Sequence, residues 1–98
     1  MSYQCISAEE AKAMVSEKNA LVVDIRDPAS FNAGHIEDAF HITDSNVDEF
    51  IAHADLERPV IVCCFHGNMS KGAAAYFSEN GFAETYSLDG GYAGWPKA

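Results

Sequence analysis

Short apolar runs alternate along the chain with stretches whose apolar residues recur at helical spacing, the pattern of an α/β fold. Gln4-Cys5-Ile6 suits a short first strand. Ser7-Ala8-Glu9-Glu10 is a capping box, with Ser7 as N-cap and Glu10 as its reciprocal partner. The helix that follows is predicted to reach about Lys18 and to bury Ala11, Met14 and Val15. Leu21-Val22-Val23-Asp24-Ile25 predicts a buried strand, and Asp27-Pro28 then opens a short helix that stops near Gly34. Ala39-Phe40-His41-Ile42 predicts a further strand. Asp44 or Ser45 is the expected cap of a helix carrying Val47, Phe50 and Ile51. Val60-Ile61-Val62-Cys63 is the most apolar and β-branched run, as a central strand requires. A helix from Ser70 should end at Asn80-Gly81, before a last strand over Glu84-Thr85-Tyr86-Ser87. Asp89-Gly90-Gly91 then turns the chain into a segment ending at Trp95-Pro96.

Helices between successive strands favour parallel pairing with helices on both faces of the sheet. Ligands of such sheets bind outside the carboxyl ends of the strands. Polar chemistry falls at two of these ends. One is Asp24-Ile25-Arg26-Asp27 and the other is Cys64-Phe65-His66-Gly67-Asn68-Met69-Ser70-Lys71.

Composition narrows the function. Ninety-eight residues, 48% of them apolar, suit one domain over residues 1–98. A net charge of −9 disfavours nucleic acid and anionic membrane, and serves solubility. No apolar run approaches the ~18 residues of a membrane span. Met-Ser-Tyr-Gln-Cys has neither the basic flank nor the apolar stretch of a secretion signal. Three irregularly spaced cysteines make a poor disulfide framework. A cytoplasmic protein is the expectation.

The second strand end carries the sharper chemistry. A strand that enters a loop and then a helix gathers backbone N–H groups at the helix N-terminus, where negative charge is favoured. A cysteine at the start of that loop, Cys64, has its thiolate stabilised and its pKa lowered. Gly67 supplies positive φ and Asn68 tolerates it, so the loop can curl with its side chains kept out. This arrangement suits a thiolate that attacks an electrophilic sulfur, holds it as a persulfide, and yields it to a second thiolate or to cyanide. Phosphatase and arsenate-reductase loops of similar shape carry Cys-x5-Arg. Here the corresponding position is Ser70, which has no guanidinium to clamp a tetrahedral oxyanion.

The neighbouring residues read more plainly. Cys63 ends an apolar strand, points to the opposite face and packs in the core, and Cys5 is structural or incidental. No Cys-x2-Cys pair occurs, so neither metal nor cofactor is expected. The His66 ring points outward, His35 is a turn residue, and His41 and His53 take no functional role. Asp24 and Arg26 form a structural ion pair that, in its functional version, orders the Cys64 loop. Lys71 is a helix-surface lysine with a minor claim to anion support. Gly90 and Gly91 are turn residues, and Tyr92 and Trp95 pack at the core or rim.

Three stretches in order along the chain resemble the single-domain rhodanese family, close to the GlpE-type thiosulfate sulfurtransferases. They are Val23-Asp24-Ile25-Arg26-Asp27-Pro28-Ala29-Ser30-Phe31-Asn32-Ala33-Gly34-His35-Ile36, Cys64 through Ala74, and Leu88-Asp89-Gly90-Gly91-Tyr92-Ala93-Gly94-Trp95. The resemblance implies a five-stranded parallel sheet flanked by helices. It implies a Cys64 persulfide cradled by the backbone of Phe65, His66, Gly67, Asn68 and Met69, with Ser70 at the helix start. It implies thiosulfate or a related donor, cyanide as assay acceptor, and a thiol acceptor such as a thioredoxin-like protein. The loop departs from the family in lacking an arginine and in placing Met69 where a serine is usual. A persulfide carrier or protein-binding module loaded by a partner is the second expectation.

Overall fold

The computed structural model describes residues 3–96. Five strands form one sheet: β1 (Gln4–Ile6), β2 (Leu21–Asp24), β3 (Phe40–His41), β4 (Val60–Cys63) and β5 (Thr85–Leu88). Every pairing is parallel, in the order β1-β5-β4-β2-β3, so the most apolar strand is the central one. The crossovers carry α1 (Ala8–Lys18), α2 (Pro28–Ala33), α3 (Val47–His53) and α4 (Met69–Glu79), and a 3-10 turn over Tyr92–Gly94 follows β5.

The period-2 alternation of the strands divides the core between the two faces. Val22, Ile61 and Cys63 pack with Ala11 and Met14 of α1. Val23, Val60 and Val62 pack with Ala74 and Phe77 of α4 and Phe50 of α3. Helices therefore cover both sides of the sheet.

The local signals act as their chemistry dictates. Ser7 and Glu10 close the capping box, with bonds of 3.1 and 2.9 Å to each other's N–H. Asp27 caps α2 by accepting from the Ser30 N–H, with Pro28 in the first turn.

Several expected details shift. Val15 is 40% exposed rather than buried, because α1 turns Ala11 and Met14 to the sheet and Val15 falls outside that stripe. Neither Asp44 nor Ser45 caps α3. The N-cap is Asn46, whose side chain bonds backward to the Thr43 N–H and the His41 carbonyl instead of capping. Strand β2 ends at Asp24, although the Ile25 N–H still donates to the Cys63 carbonyl at 3.0 Å. Strand β3 keeps only Phe40 and His41, β5 sits one residue later than expected, and α4 begins at Met69.

Candidate active site

The site is built at the carboxyl end of β4. Cys64 follows the last strand residue, and a loop of four residues carries the chain to Asn68, the N-cap of α4. Gly67 has φ +94°, and a Cβ there would meet the Gly90 nitrogen at 2.9 Å. The turn thus needs glycine on two counts. Asn68 has φ −90°, so its tolerance of positive φ is not used.

The curl brings N–H groups onto one sulfur. The Gly67 N–H donates to Cys64 Sγ at 3.1 Å and the Ser70 N–H at 3.2 Å. Burial pushes the Cys64 thiol up. The Ser70 hydroxyl and the N–H groups of Ser70, Gly67 and Met69 outweigh it, and the net pKa is lowered. Of the cradle expected over Phe65–Met69, Gly67 donates a hydrogen bond to the sulfur and Ser70 adds the second, while the Met69 N–H acts on the thiol only in lowering its pKa. Phe65 and His66 are exposed and their rings stack on one another at 4.7 Å, outside the cradle.

Cys63 behaves in the opposite way. Its thiol lies in the α1-side core and its pKa is pushed up to about 12, first by burial and then by Asp24. Adjacent cysteines therefore differ in chemistry because strand alternation turns one into the core and the other into the loop.

The chain's final turn braces the loop. The Tyr92 N–H donates to the Cys64 carbonyl at 2.8 Å and the Ala93 N–H to the Phe65 carbonyl at 3.0 Å. Gly91, at φ +57°, permits this approach, since a Cβ there would collide with the carbonyl oxygens of Cys64 and Phe65. Arg26 connects the brace to the first strand end. Its Nη2 donates to Asp24 Oδ2 and to the Gly34 carbonyl, each at 2.7 Å, and its guanidinium lies 4.3 Å from the Tyr92 ring centre. The Asp24 hydrogen bonds hold Arg26 above its ordinary pKa against the effect of burial. Asp24 and Arg26 thus reach Cys64 only through the scaffold.

Lys71 is exposed in the first turn of α4. Trp95 and Tyr92 pack at the edge of the α1-side core. One residue the sequence reading passed over is Ser87, fully buried on β5 with its hydroxyl 2.7 Å from that of Ser70. The available signal was a small polar residue inside a strand otherwise destined for the core.

Among the described residues no cluster of His, Cys, Asp or Glu could hold a metal ion, and no helix is long and apolar enough to cross a membrane.

The rhodanese-like domain family model matches residues 7–98. The chain belongs to the rhodanese-like domain family. It is 51% identical over 94 residues to a protein named thiosulfate sulfurtransferase GlpE from Pseudomonas aeruginosa strain LESB58, covering 96% of this chain and 84% of that protein. The GlpE of strain UCBPP-PA14 matches to the same extent. Among solved structures, a rhodanese-like domain protein from Staphylococcus aureus superposes with a TM-score of 0.81 at 21% identity, covering 97% of this chain and 92% of that one. A rhodanese-related protein from Thermoplasma volcanium gives 0.78 at 25% identity, with 96% of each chain covered. The rhodanese-like match takes in all three signature stretches, the Cys64 loop and its Tyr92 brace included.

Proposed function

We propose that the protein is a thiosulfate sulfurtransferase working through a persulfide on Cys64. The observation that carries this is the pair of N–H groups on Cys64 Sγ, in a loop whose net effect is to lower the thiol pKa. The 51% identity to proteins named for that activity supports it. The Cys64 thiolate attacks the outer sulfur of thiosulfate. The S–S bond of thiosulfate breaks, sulfite leaves with the bonding pair, and the sulfane sulfur remains on Cys64. Backbone donors aimed at the sulfur stabilise the anion throughout, because they need no reorganisation. Cyanide or a thiolate then attacks the outer sulfur and leaves as thiocyanate or as a new persulfide, returning Cys64 as thiolate. Gly67 and Ser70 are the donors of the cradle, with Phe65, His66, Asn68 and Met69 completing the loop. Asp24 and Arg26 position it through Tyr92. Lys71 offers positive charge to the incoming anion from the first turn of α4.

The cycle is ping-pong. Thiocyanate formation from thiosulfate and cyanide should give parallel double-reciprocal lines, and Cys64→Ser should abolish it. Intersecting lines would rule out the free persulfide enzyme. Three free cysteines, with no disulfide among them, suit a reducing compartment, and the cytoplasm is the proposed location. The natural acceptor is a thiol, with a thioredoxin-like protein as the leading kind.

A second reading, a carrier loaded by a partner, rests on two observations. The loop has no arginine between Phe65 and Ser70, and Met69 is 75% exposed at its rim. Loading by a cysteine desulfurase together with failure of thiosulfate to load would select it.

A further inference from the structure

A groove of about 750 Å³ runs beside the Cys64 loop, between α4 and the carboxyl ends of β2 and β3. Its apolar lining includes Ile25, Ile42, Val47 and Ala73. Met69 stands at the end next to the loop, and Tyr76 two helical turns away. Met69 belongs to both sites, because its side chain lines the groove while its N–H supports the Cys64 sulfur. From Met69 to Tyr76 is about 10 Å along the helix axis, the reach of a short peptide segment. Both side chains are exposed, and so is Phe65 on the loop.

The charge around this floor has one sign. Asp27, Asp44 and Asp48 line the groove and are exposed. Arg26, the cationic residue in the lining, is committed to Asp24 and the Gly34 carbonyl. An apolar floor ringed by carboxylates is a poor seat for thiosulfate and a good one for apolar side chains followed by ammonium or guanidinium groups. A flexible methionine at the mouth adapts to the shape that enters.

We infer that this groove is the docking site of the sulfur acceptor, and that the acceptor is a protein whose reacting cysteine lies next to apolar and cationic side chains. The inference rests on the Cys64 persulfide proposed above and adds the surface that selects the acceptor. The acceptor thiolate attacks the outer sulfur, the Cys64 S–S bond breaks, and Cys64 recovers the bonding pair as a thiolate held by Gly67 and Ser70. The acceptor leaves as a persulfide with its apolar flank lifted from the floor beside Met69.

The test uses the loaded protein and two short amidated peptides. Each carries one cysteine and two leucines. One adds two lysines, and its twin has glutamates in their place. The rate of persulfide discharge by each gives a lysine-to-glutamate ratio. Comparing that ratio between protein variants cancels the peptides' own difference in thiol pKa. In Asp44→Asn/Asp48→Asn the ratio should fall about threefold or more at low salt, and the wild-type preference should shrink as salt rises. Glu9→Gln/Glu17→Gln makes the same change in net charge from exposed positions on α1, across the sheet, and should keep the wild-type ratio. Met69→Ser should slow both peptides. Discharge by cyanide should be equal in the wild type and the two double carboxylate variants, which separates the groove from the sulfur chemistry. Equal falls in both double variants, or none in either, would overturn the docking site. Failure of every protein to carry a sulfur would overturn the persulfide and this inference with it.

Discussion

The hydroxyl oxygens of Ser70 and Ser87 lie 2.7 Å apart, both side chains fully buried, and the N–H of the same Ser70 holds the Cys64 sulfur. One residue thus joins the Cys64 sulfur to the floor of the sheet. Ser70→Ala removes a hydroxyl that lowers the Cys64 pKa. Its alkylation by iodoacetamide should show a midpoint moved to higher pH, with a slower rate at neutral pH. It also strands the Ser87 hydroxyl, at a cost of about 1–3 kcal/mol in urea unfolding. An unmoved midpoint would show that the N–H groups alone set the thiol's acidity.

Cys63 and Cys64 should pull stability in opposite directions with pH. The folded pKa of Cys64 is lowered, so its contribution is full above the unfolded pKa and is lost as pH falls through the folded one. Cys63 is raised to about 12. Above the unfolded value of about 8.5 the unfolded chain releases that proton and the folded chain keeps it, so stability falls as pH rises. Denaturant unfolding should therefore lose up to about 1.4 kcal/mol per pH unit from this thiol between roughly pH 8.5 and 10. Cys63→Ala should lack that component of the slope. The same slope in both proteins would place the Cys63 thiol in water.

Arg26→Met should be costly to stability. It leaves the Asp24 carboxylate buried and without its fork, which typically costs about 3–5 kcal/mol. It also removes the cation from the Tyr92 ring, and with it part of the brace on the Cys64 carbonyl. Urea unfolding measures the loss, and a change below about 1 kcal/mol would mean that water had reached the pair.

Two glycines should respond in opposite ways. Gly91→Ala places a Cβ against the carbonyls of Cys64 and Phe65 at positive φ, so thermal unfolding should drop sharply. Gly72 lies inside α4 with nothing within 4 Å of an added Cβ. Gly72→Ala should stabilise by about 0.5–1 kcal/mol through helix propensity. A stabilised Gly91→Ala would mean that the final turn does not press on the loop.

Much of this was legible in the chain. Short-range chemistry read well, as with the Ser7–Glu10 box, Asp27 before Pro28, and the β-branched run ending at Cys63. The opposite facing of Cys63 and Cys64 followed from strand period alone. What failed to read depended on contacts distant in sequence. The N-cap position of α3 falls to Asn46, whose side chain bonds Thr43 and His41 instead of capping, which no local signal favouring Asp44 or Ser45 reveals. Val15 fits the helical spacing, and only the docking of α1 decides which residues meet the sheet. Ser87 gains its meaning from Ser70, 17 positions away, and Tyr92 from the Cys64 carbonyl. The acidic groove combines the ends of β2 and β3 with α3 and α4, so its lining residues are scattered along the chain.

Whether Cys64 accepts sulfur is read from the intact mass of the protein after incubation with thiosulfate. The wild type should gain one sulfur atom and return to its starting mass on adding cyanide, and Cys64→Ser should gain none. A wild-type protein that gains nothing, or a Cys64→Ser variant that gains the same sulfur, would contradict a persulfide on Cys64.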